Sequence, residues 1–319
     1  MTLRMPQLVC HADWSKNERK RWFAEAILEI DGRYTAGSAK LVGNIDEFRT
    51  SILQHTGTER AALLGFDFPI GIPFHYAQQA GITKFKEWLL KLGNGCWREF
   101  YEVCEQPDEI SIYRPFYPMA SRAGVKQASL IEKLGANGIN ELKRICEYGG
   151  NGHRRACTLF WTLGANAVGK AAITGWREVI VPILLVQPNR TNLWPFDGKL
   201  DELIMPGKIV IAESYPAEYY AWFNQDGVVK SDRTSRTVFG RKLLQWAEDR
   251  PEKVILTNEL KQQIQSGFIN DDAFDTVVGL FAMLKIVLGE QDCRHPADTD
   301  RMAVEGWILG RESIFSVNC

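Results

Sequence analysis

The chain has no apolar stretch of the length a membrane demands. Its longest uncharged apolar runs, residues 179–186 and 276–284, are eight and nine residues long, against roughly 20 for a helix that crosses a bilayer. No membrane partner is expected. Cysteine is sparse and irregular: seven residues, an odd number with no C-x-x-C pair, fit buried thiols in a reducing compartment better than a disulfide framework. The opening residues MTLRMPQLVC carry neither the apolar core nor the cleavage site of a signal peptide, so the expected location is cytoplasmic. Charge of one sign is not in excess. With 38 Lys+Arg against 39 Asp+Glu, the net charge is -1, which argues against a protein that coats duplex nucleic acid by bulk charge but leaves room for a local basic groove. The five histidines are scattered and form no Ser-His-Asp or Cys-His arrangement. There is no internal repeat and no low-complexity segment.

What is present is ordinary globular material: 45% hydrophobic and 24% charged residues. A chain of 319 residues corresponds to about two domains, or to one domain carrying a large insertion. Ten tryptophans imply either a large core or stacking surfaces. Residues 7–12 form a short apolar run ending at Asp13. Residues 22–30 and 33–42 read as strands joined by Asp31-Gly32, a strong hairpin signal. Asn44 or Asp46 can cap a helix running to about residue 55, and 61–66 reads as a buried strand ending at Asp67. From about 75 to 205 the pattern changes to amphipathic helical stretches (85–92, 128–134, 141–148) among Gly- and Pro-containing loops, with 179–186 as a candidate strand. Residues 208–212 resemble a further buried strand, ending at Glu213. A polar, basic stretch (230–241) leads to helical segments at 242–249 and 258–265. An almost wholly apolar helix follows at 271–288, then a last strand at 304–309.

Three separate apolar runs thus end in a carboxylate: Asp13, Asp67 and Glu213. In an open α/β sheet, chemistry sits in the crevice outside the strand ends, although acids also follow strands as simple turn residues. A fourth acidic group, Asn270-Asp271-Asp272-Ala273-Phe274-Asp275, opens the apolar helix. Asp272 and Asp275 are three apart and Asp271 and Asp275 four apart, so on a helix they are neighbours. These acids either cap the helix and suit its dipole or belong to a site. Like charges 4 Å apart repel by about 4 kcal/mol at an effective dielectric near 20. If the strand-end acids meet this cluster, a counter-ion is required, and hard oxygen ligands select Mg²⁺ or Mn²⁺ over zinc.

Asp13-Trp14-Ser15, Gly65-Phe66-Asp67-Phe68-Pro69-Ile70-Gly71, Glu213-Ser214-Tyr215-Pro216, Asp272-Ala273-Phe274-Asp275 and Glu305-Gly306-Trp307 together resemble the family called domain of unknown function 429, regarded as predicted nucleases of ribonuclease H-like fold. The resemblance covers the two flanks, roughly residues 7–75 and 205–310. It implies metal ligation by Asp13, Asp67, Asp272 and Asp275, with Glu213 as an additional or supporting acid. By analogy with resolvase-type members of the wider superfamily, it implies hydrolysis with two ions about 3.5–4 Å apart on either side of the scissile phosphate, bridged by Asp13. Resolvases often carry Glu where this chain has Asp67. The shorter side chain would draw the metal closer.

The middle of the chain holds further candidates. Gly164-Ala165-Asn166-Ala167-Val168-Gly169-Lys170 fits G-x-x-x-x-G-K, but Ala171 replaces the hydroxyl residue that holds Mg²⁺ in a phosphate-binding loop. Residues 157–163 read as a possible strand before it. Lys170 is either a substrate-phosphate contact or a solvated lysine on a Gly-rich turn, and the Phe160-Trp161-Thr162-Leu163-Gly164 segment is read from the family resemblance as pocket wall. Arg154, in the basic loop 151–155, and Arg114, beside Tyr113, Phe116 and Tyr117, are candidate phosphate contacts. The aromatics are candidate base-stacking groups. Solvated loop charge is the plainer reading of both loops. Cys146, His153 and Cys157 are irregularly spaced with no fourth ligand, which argues against zinc.

The sequence therefore predicts an α/β protein. A ribonuclease H-like mixed sheet flanked by helices (residues 1–75 and 205–319) is interrupted by a mainly helical insertion (76–204). The expected activity is Mg²⁺- or Mn²⁺-dependent hydrolysis of phosphodiester bonds in nucleic acid. The alternatives are a nucleotide-binding protein using Gly164 to Lys170, and a non-catalytic nucleic-acid-binding module of the same fold.

Overall fold

A computed structural model describes residues 4–121, 124–148, 157–164, 168–224 and 227–312. The chain divides into two compact units: Met1–Asp67, Val186–Arg294 and Leu309–Glu312 in the first, Phe68–Leu185 and His295–Ile308 in the second. The first unit opens with β1 (Leu8–Asp13), β2 (Trp22–Leu28), β3 (Tyr34–Ala36), β4 (Lys40–Leu41), α1 (Ile45–Thr56) and β5 (Ala62–Phe66). The second contains α2 (Phe74–Gln79), α3 (Phe85–Leu89), α4 (Gln127–Lys133), α5 (Gly169–Gly175), a π-helical turn (Trp176–Ile180) and α6 (Val181–Val186), whose last residue re-enters the first unit. There follow β6 (Thr191–Leu193), α7 (Leu200–Leu203), β7 (Ile209–Glu213), α8 (Pro216–Tyr219), α9 (Arg233–Glu248), β8 (Val254–Leu256), α10 (Asn258–Gln265) and α11 (Asp271–Val287). The last helix, α12 (Thr299–Glu305), belongs to the second unit.

The first unit is a mixed eight-stranded sheet in the order β6-β7-β5-β1-β2-β3-β8, with β4 pairing β2. β1, β5, β7 and β6 run parallel, and β2 is antiparallel to both β1 and β3. Every residue of β1, β5 and β7 is buried. This is why their sequences read as continuous apolar runs rather than alternating ones. The Asp31-Gly32 hairpin forms as expected: Gly32 takes φ 84, and Leu28 pairs with Tyr34 across it. The second arm, read as one strand over 33–42, breaks into β3 and β4. Asn44 caps α1, its side chain accepting from the amides of Asp46 and Glu47.

α11 lies against the sheet face that carries His11 and Gly65. A Cβ on Gly279 would stand 2.3 Å from the His11 ring, and one on Gly65 would stand 2.4 Å from Met283 Sδ. Two missing side chains thus let helix and sheet approach closely enough to register α11 against β1. On the other face, Phe66 meets Trp14, which in turn packs on Phe48 of α1.

The second unit is built from helices and turns around aromatic side chains, with Trp176 against Phe85, Trp88 and Phe100. None of the ten tryptophans of the chain is exposed, so they are core rather than stacking surface. Residues 179–186 are helical, not a strand. A short buried apolar run has no periodicity to separate the two, and Pro182, which has no amide hydrogen to donate to the carbonyl of Glu178, follows the widened π turn. The stretch 304–309 begins as the last turn of α12, and Leu309 N bonds Glu213 O at 2.9 Å without forming a strand. Residues 157–163 contain only a single bridge, Trp161 to Tyr117, and 141–148 is made of 3₁₀ turns. The basic stretch 230–241 is itself helical from Arg233, capped by Asp232. Among the described residues no helix is long and apolar enough to cross a membrane.

Candidate functional site

β1 and β5 pair in parallel with Ala12 opposite Phe66, so the next residues, Asp13 and Asp67, stand side by side at the carboxyl ends of adjacent strands. Asp67 Oδ1 accepts from Trp14 N at 2.6 Å. Burial together with the charges of Asp67, Asp275 and Asp272 raises Asp13 far above the ordinary range. Asp67 is raised too. Burial is the main cause, opposed by the Trp14 amide and by Asp13. Taking two neighbouring carboxyls out of water favours their protonated forms.

The amino end of α11 supplies the other acids. Asn270, not an aspartate, caps this helix: its side chain accepts from Ala273 N at 2.8 Å. Asp272 and Asp275 are thereby free of capping duty. Asp275 is 5% exposed. Its Oδ2 meets Lys230 Nζ at 2.5 Å and its Oδ1 accepts from Tyr220 Oη. Burial raises Asp275, with Lys230 and Tyr220 opposing. Asp272, half-buried, is raised by burial and then by Asp271, against the pull of Lys20 and Lys230. Burial alone would lower Lys230, but Asp275, followed by Asp13 and Asp271, reverses this and raises it. Four acids from three distant segments thus bear on one another's charge.

Glu213 stands apart from them. It pairs with Phe66 in the register of β5 and β7, and side chains alternate along a strand, so Glu213 shares the face of Phe66 while Asp67 points the opposite way. It is buried, and its charge bears on Glu218 and Tyr219. It is therefore better read as part of the buried Glu218–Arg311 surroundings than as a member of the aspartate group.

Two contributors carry no sequence signal. Lys230 precedes α9 in an unremarkable polar stretch, and Tyr220 follows α8. Neither residue type nor spacing ties them to an aspartate 45 and 55 positions away. His11 lies on the same face as Asp13 and supports the helix. Its Nδ1 is 3.1 Å from Thr276 O, and burial lowers its pKa to about 3 despite that bond. It is a neutral spacer. Beyond Asp13 the chain turns through Lys16, Arg19 and Lys20, all exposed, with Asn17 capping the turn. Basic side chains therefore stand close in sequence to the acids.

The candidates of the second unit serve other purposes. Arg114 holds its own loop through Glu109 at 3.4 Å and the Val103 carbonyl at 3.3 Å. Lys170 donates to Met119 O at 3.0 Å, and the described residues 157–164 that lead to α5 form no strand beyond the single bridge at Trp161, so the strand that opens a phosphate-binding loop is missing there. Phe116 and Tyr117 are buried, which removes them as stacking groups. Arg154, His153 and residues 165–167 lie outside the described residues.

As the side chains stand, no three His, Cys, Asp or Glu residues among those described are placed to hold a metal ion. Both oxygens of Asp275 are engaged, by Tyr220 and Lys230. The donor set itself is all oxygen, the chemistry of a hard divalent cation. Compared with models of protein families, with curated proteins and with solved structures, the chain matches none.

Proposed function

We propose that this chain is a Mg²⁺- or Mn²⁺-dependent phosphodiesterase acting on nucleic acid, with a ribonuclease H-like core and membership of the domain of unknown function 429 family. The observation that carries the reading is the meeting of Asp13, Asp67, Asp272 and Asp275 at the carboxyl ends of β1 and β5. The order β3-β2-β1-β5-β7, with β2 antiparallel to its neighbours, agrees with the ribonuclease H-like sheet expected from the sequence. The insertion expected at 76–204 overlaps the second unit, which runs from Phe68 to Leu185 and takes in His295–Ile308, while residues 186–204 belong to the first. Cys10, Cys96, Cys104, Cys146, Cys157 and Cys293 are free thiols, in keeping with a cytoplasmic site of action.

Asp13, Asp67 and Asp272 are the residues that would hold the cation, and their side chains would have to move to do so, since no three acids among the described residues are now placed for it. Bound there, a divalent ion would supply Lewis-acid polarisation of the phosphate and a more acidic water. The chain's own part is to fix the acids on rigid elements: Asp13 and Asp67 by strand register, Asp272 and Asp275 by the close seating of α11. The exposed Lys16, Arg19 and Lys20 offer charge to a polyanionic strand. The test is hydrolysis of bis(4-nitrophenyl) phosphate, which probes phosphodiester chemistry without requiring a particular nucleic acid. Turnover in Mn²⁺ that disappears with chelator and in Asp272→Asn supports the proposal. Absence of turnover in Mn²⁺, or turnover unchanged in Asp272→Asn, contradicts it.

A further inference from the structure

We propose that two copies of this chain associate about a two-fold axis through the outer edge of β8, Glu248 of each pairing with Lys261 of the other; this stands apart from the phosphodiesterase reading. β8 is the last strand on its side of the sheet. Towards β3, Tyr34 N donates to Lys253 O at 2.8 Å and Thr257 N to Ala36 O at 3.0 Å. Backbone groups of successive residues face opposite edges of a strand, so Val254 and Leu256 turn theirs outward. Val254 N is taken by Arg250 O at 3.0 Å. Val254 O and Leu256 N are left facing out from the sheet, and an open edge is a template for a further strand.

Along this edge runs a groove of about 310 Å³, with an apolar floor that includes Leu244, Ala247 and Ile255 and a rim of Arg33, Glu248 and Lys261. The two outer charges stand at the wrong ends of their own helices. Glu248 is the last residue of α9 and Lys261 lies at the end of the first turn of α10, where the helix dipole favours the opposite sign. Among the described residues neither has an ion-pair partner within the chain. Arg33 is already held by Asp31 at 2.6 Å. α9 leads into β8 and α10 leads out of it. A second β8 laid antiparallel, with the axis at Ile255, sets Leu256 N against the partner's Val254 O and the reverse. It also brings the entry of one strand beside the exit of the other, so that Glu248 meets the partner's Lys261 twice over by symmetry. A rim carrying one uncompensated charge of each sign thus complements itself, which favours a second copy over a partner of a single charge sign. The contact is small, so the dissociation constant is expected in the micromolar range.

The test is sedimentation equilibrium of the full chain as wild type, Glu248→Lys, Lys261→Glu and the double exchange, each checked for native circular dichroism. Both residues are exposed, so the fold should tolerate the changes. Wild type should dimerise, less tightly as salt is added. Each single reversal sets like charges opposite one another in two places and should raise the dissociation constant about tenfold or more. The double exchange should restore wild-type association. A wild type that stays monomeric up to the millimolar range overturns the inference and leaves the edge to a different partner. A dimer indifferent to both single reversals, or one that the double exchange does not restore, overturns it as well.

Discussion

The second unit buries Arg144, Glu147 and Glu305, each 1% exposed, and satisfies them locally. Glu147 takes Arg144 Nε at 2.8 Å and the Arg144 amide at 3.0 Å. Glu305 takes the amides of Ile145 at 2.7 Å and Phe74 at 3.0 Å, with Arg301 3.7 Å away. Two arginines face two glutamates. The first unit gathers Asp13, Asp67, Asp271, Asp272 and Asp275 around Lys230, with Lys20 at the edge. There the acids outnumber the cations, and burial raises the pKa values of Asp13, Asp67, Asp272 and Asp275. A cluster that neutralises itself ties secondary structure together. A cluster left short of positive charge is suited to acquiring it from outside, which is what a cation-binding site does.

The contrast is open to attack from either side. The largest effect expected is on chemistry. Asp13→Asn should lower metal-dependent hydrolysis by about 10³-fold or more, since a bound ion supplies several kcal/mol of transition-state stabilisation, and initial rates in Mn²⁺ check this. In the second unit, Arg144→Met leaves Glu147 buried without its partner. Urea unfolding should show a loss of about 3–5 kcal/mol. A loss below about 1 kcal/mol would mean that this cluster is not the structural one.

Gly279→Ala presses a methyl group into the His11 ring and should cost about 1–3 kcal/mol by overpacking. Because α11 must shift to make room, it should also weaken Mn²⁺ binding, and the two readouts together show whether helix seating sets the site.

The pH dependence is shared by the units, since burial also raises Glu305 of the second unit to about 7, and the variants tell the contributions apart. Asp13, Asp67 and Asp275 have folded pKa values raised by burial. Between the ordinary aspartate value near 3.8 and about 7, the level reached by Asp67, the folded chain holds protons that the unfolded chain has released. Their contribution to stability is therefore full below that window and lost as pH rises through it. Thermal melts without metal should show this fall, and Asp13→Asn should flatten it. The smallest effect expected is from Asn270→Ala, about 1 kcal/mol for loss of a helix cap, measured by the same melts.

Much of this was legible in the sequence because strand ends and helix starts leave local marks. Asp13 and Asp67 each close an apolar run, Asp31-Gly32 announces its hairpin, and Asp272 and Asp275 share a helix face at any register. Glu213 was misplaced because the face a strand's last side chain takes depends on pleat parity, and the apolar run gave no sign of it. The acids at the start of α11 could be read as its cap, and only geometry gives that role to Asn270. Lys230 and Tyr220 were invisible because tertiary packing alone brings them to Asp275. Residues 179–186 pass for a candidate strand because an uninterrupted apolar run shows no period, although Leu185 and Val186 stand exposed on the helix.

The central claim is that acids distant in sequence form one cation site. Titration calorimetry of Mn²⁺ into wild type, Asp13→Asn and Asp272→Asn tests it most directly. The account predicts binding to wild type with proton release, and loss of that binding in both variants. Binding retained in either variant, or none in wild type, would contradict it.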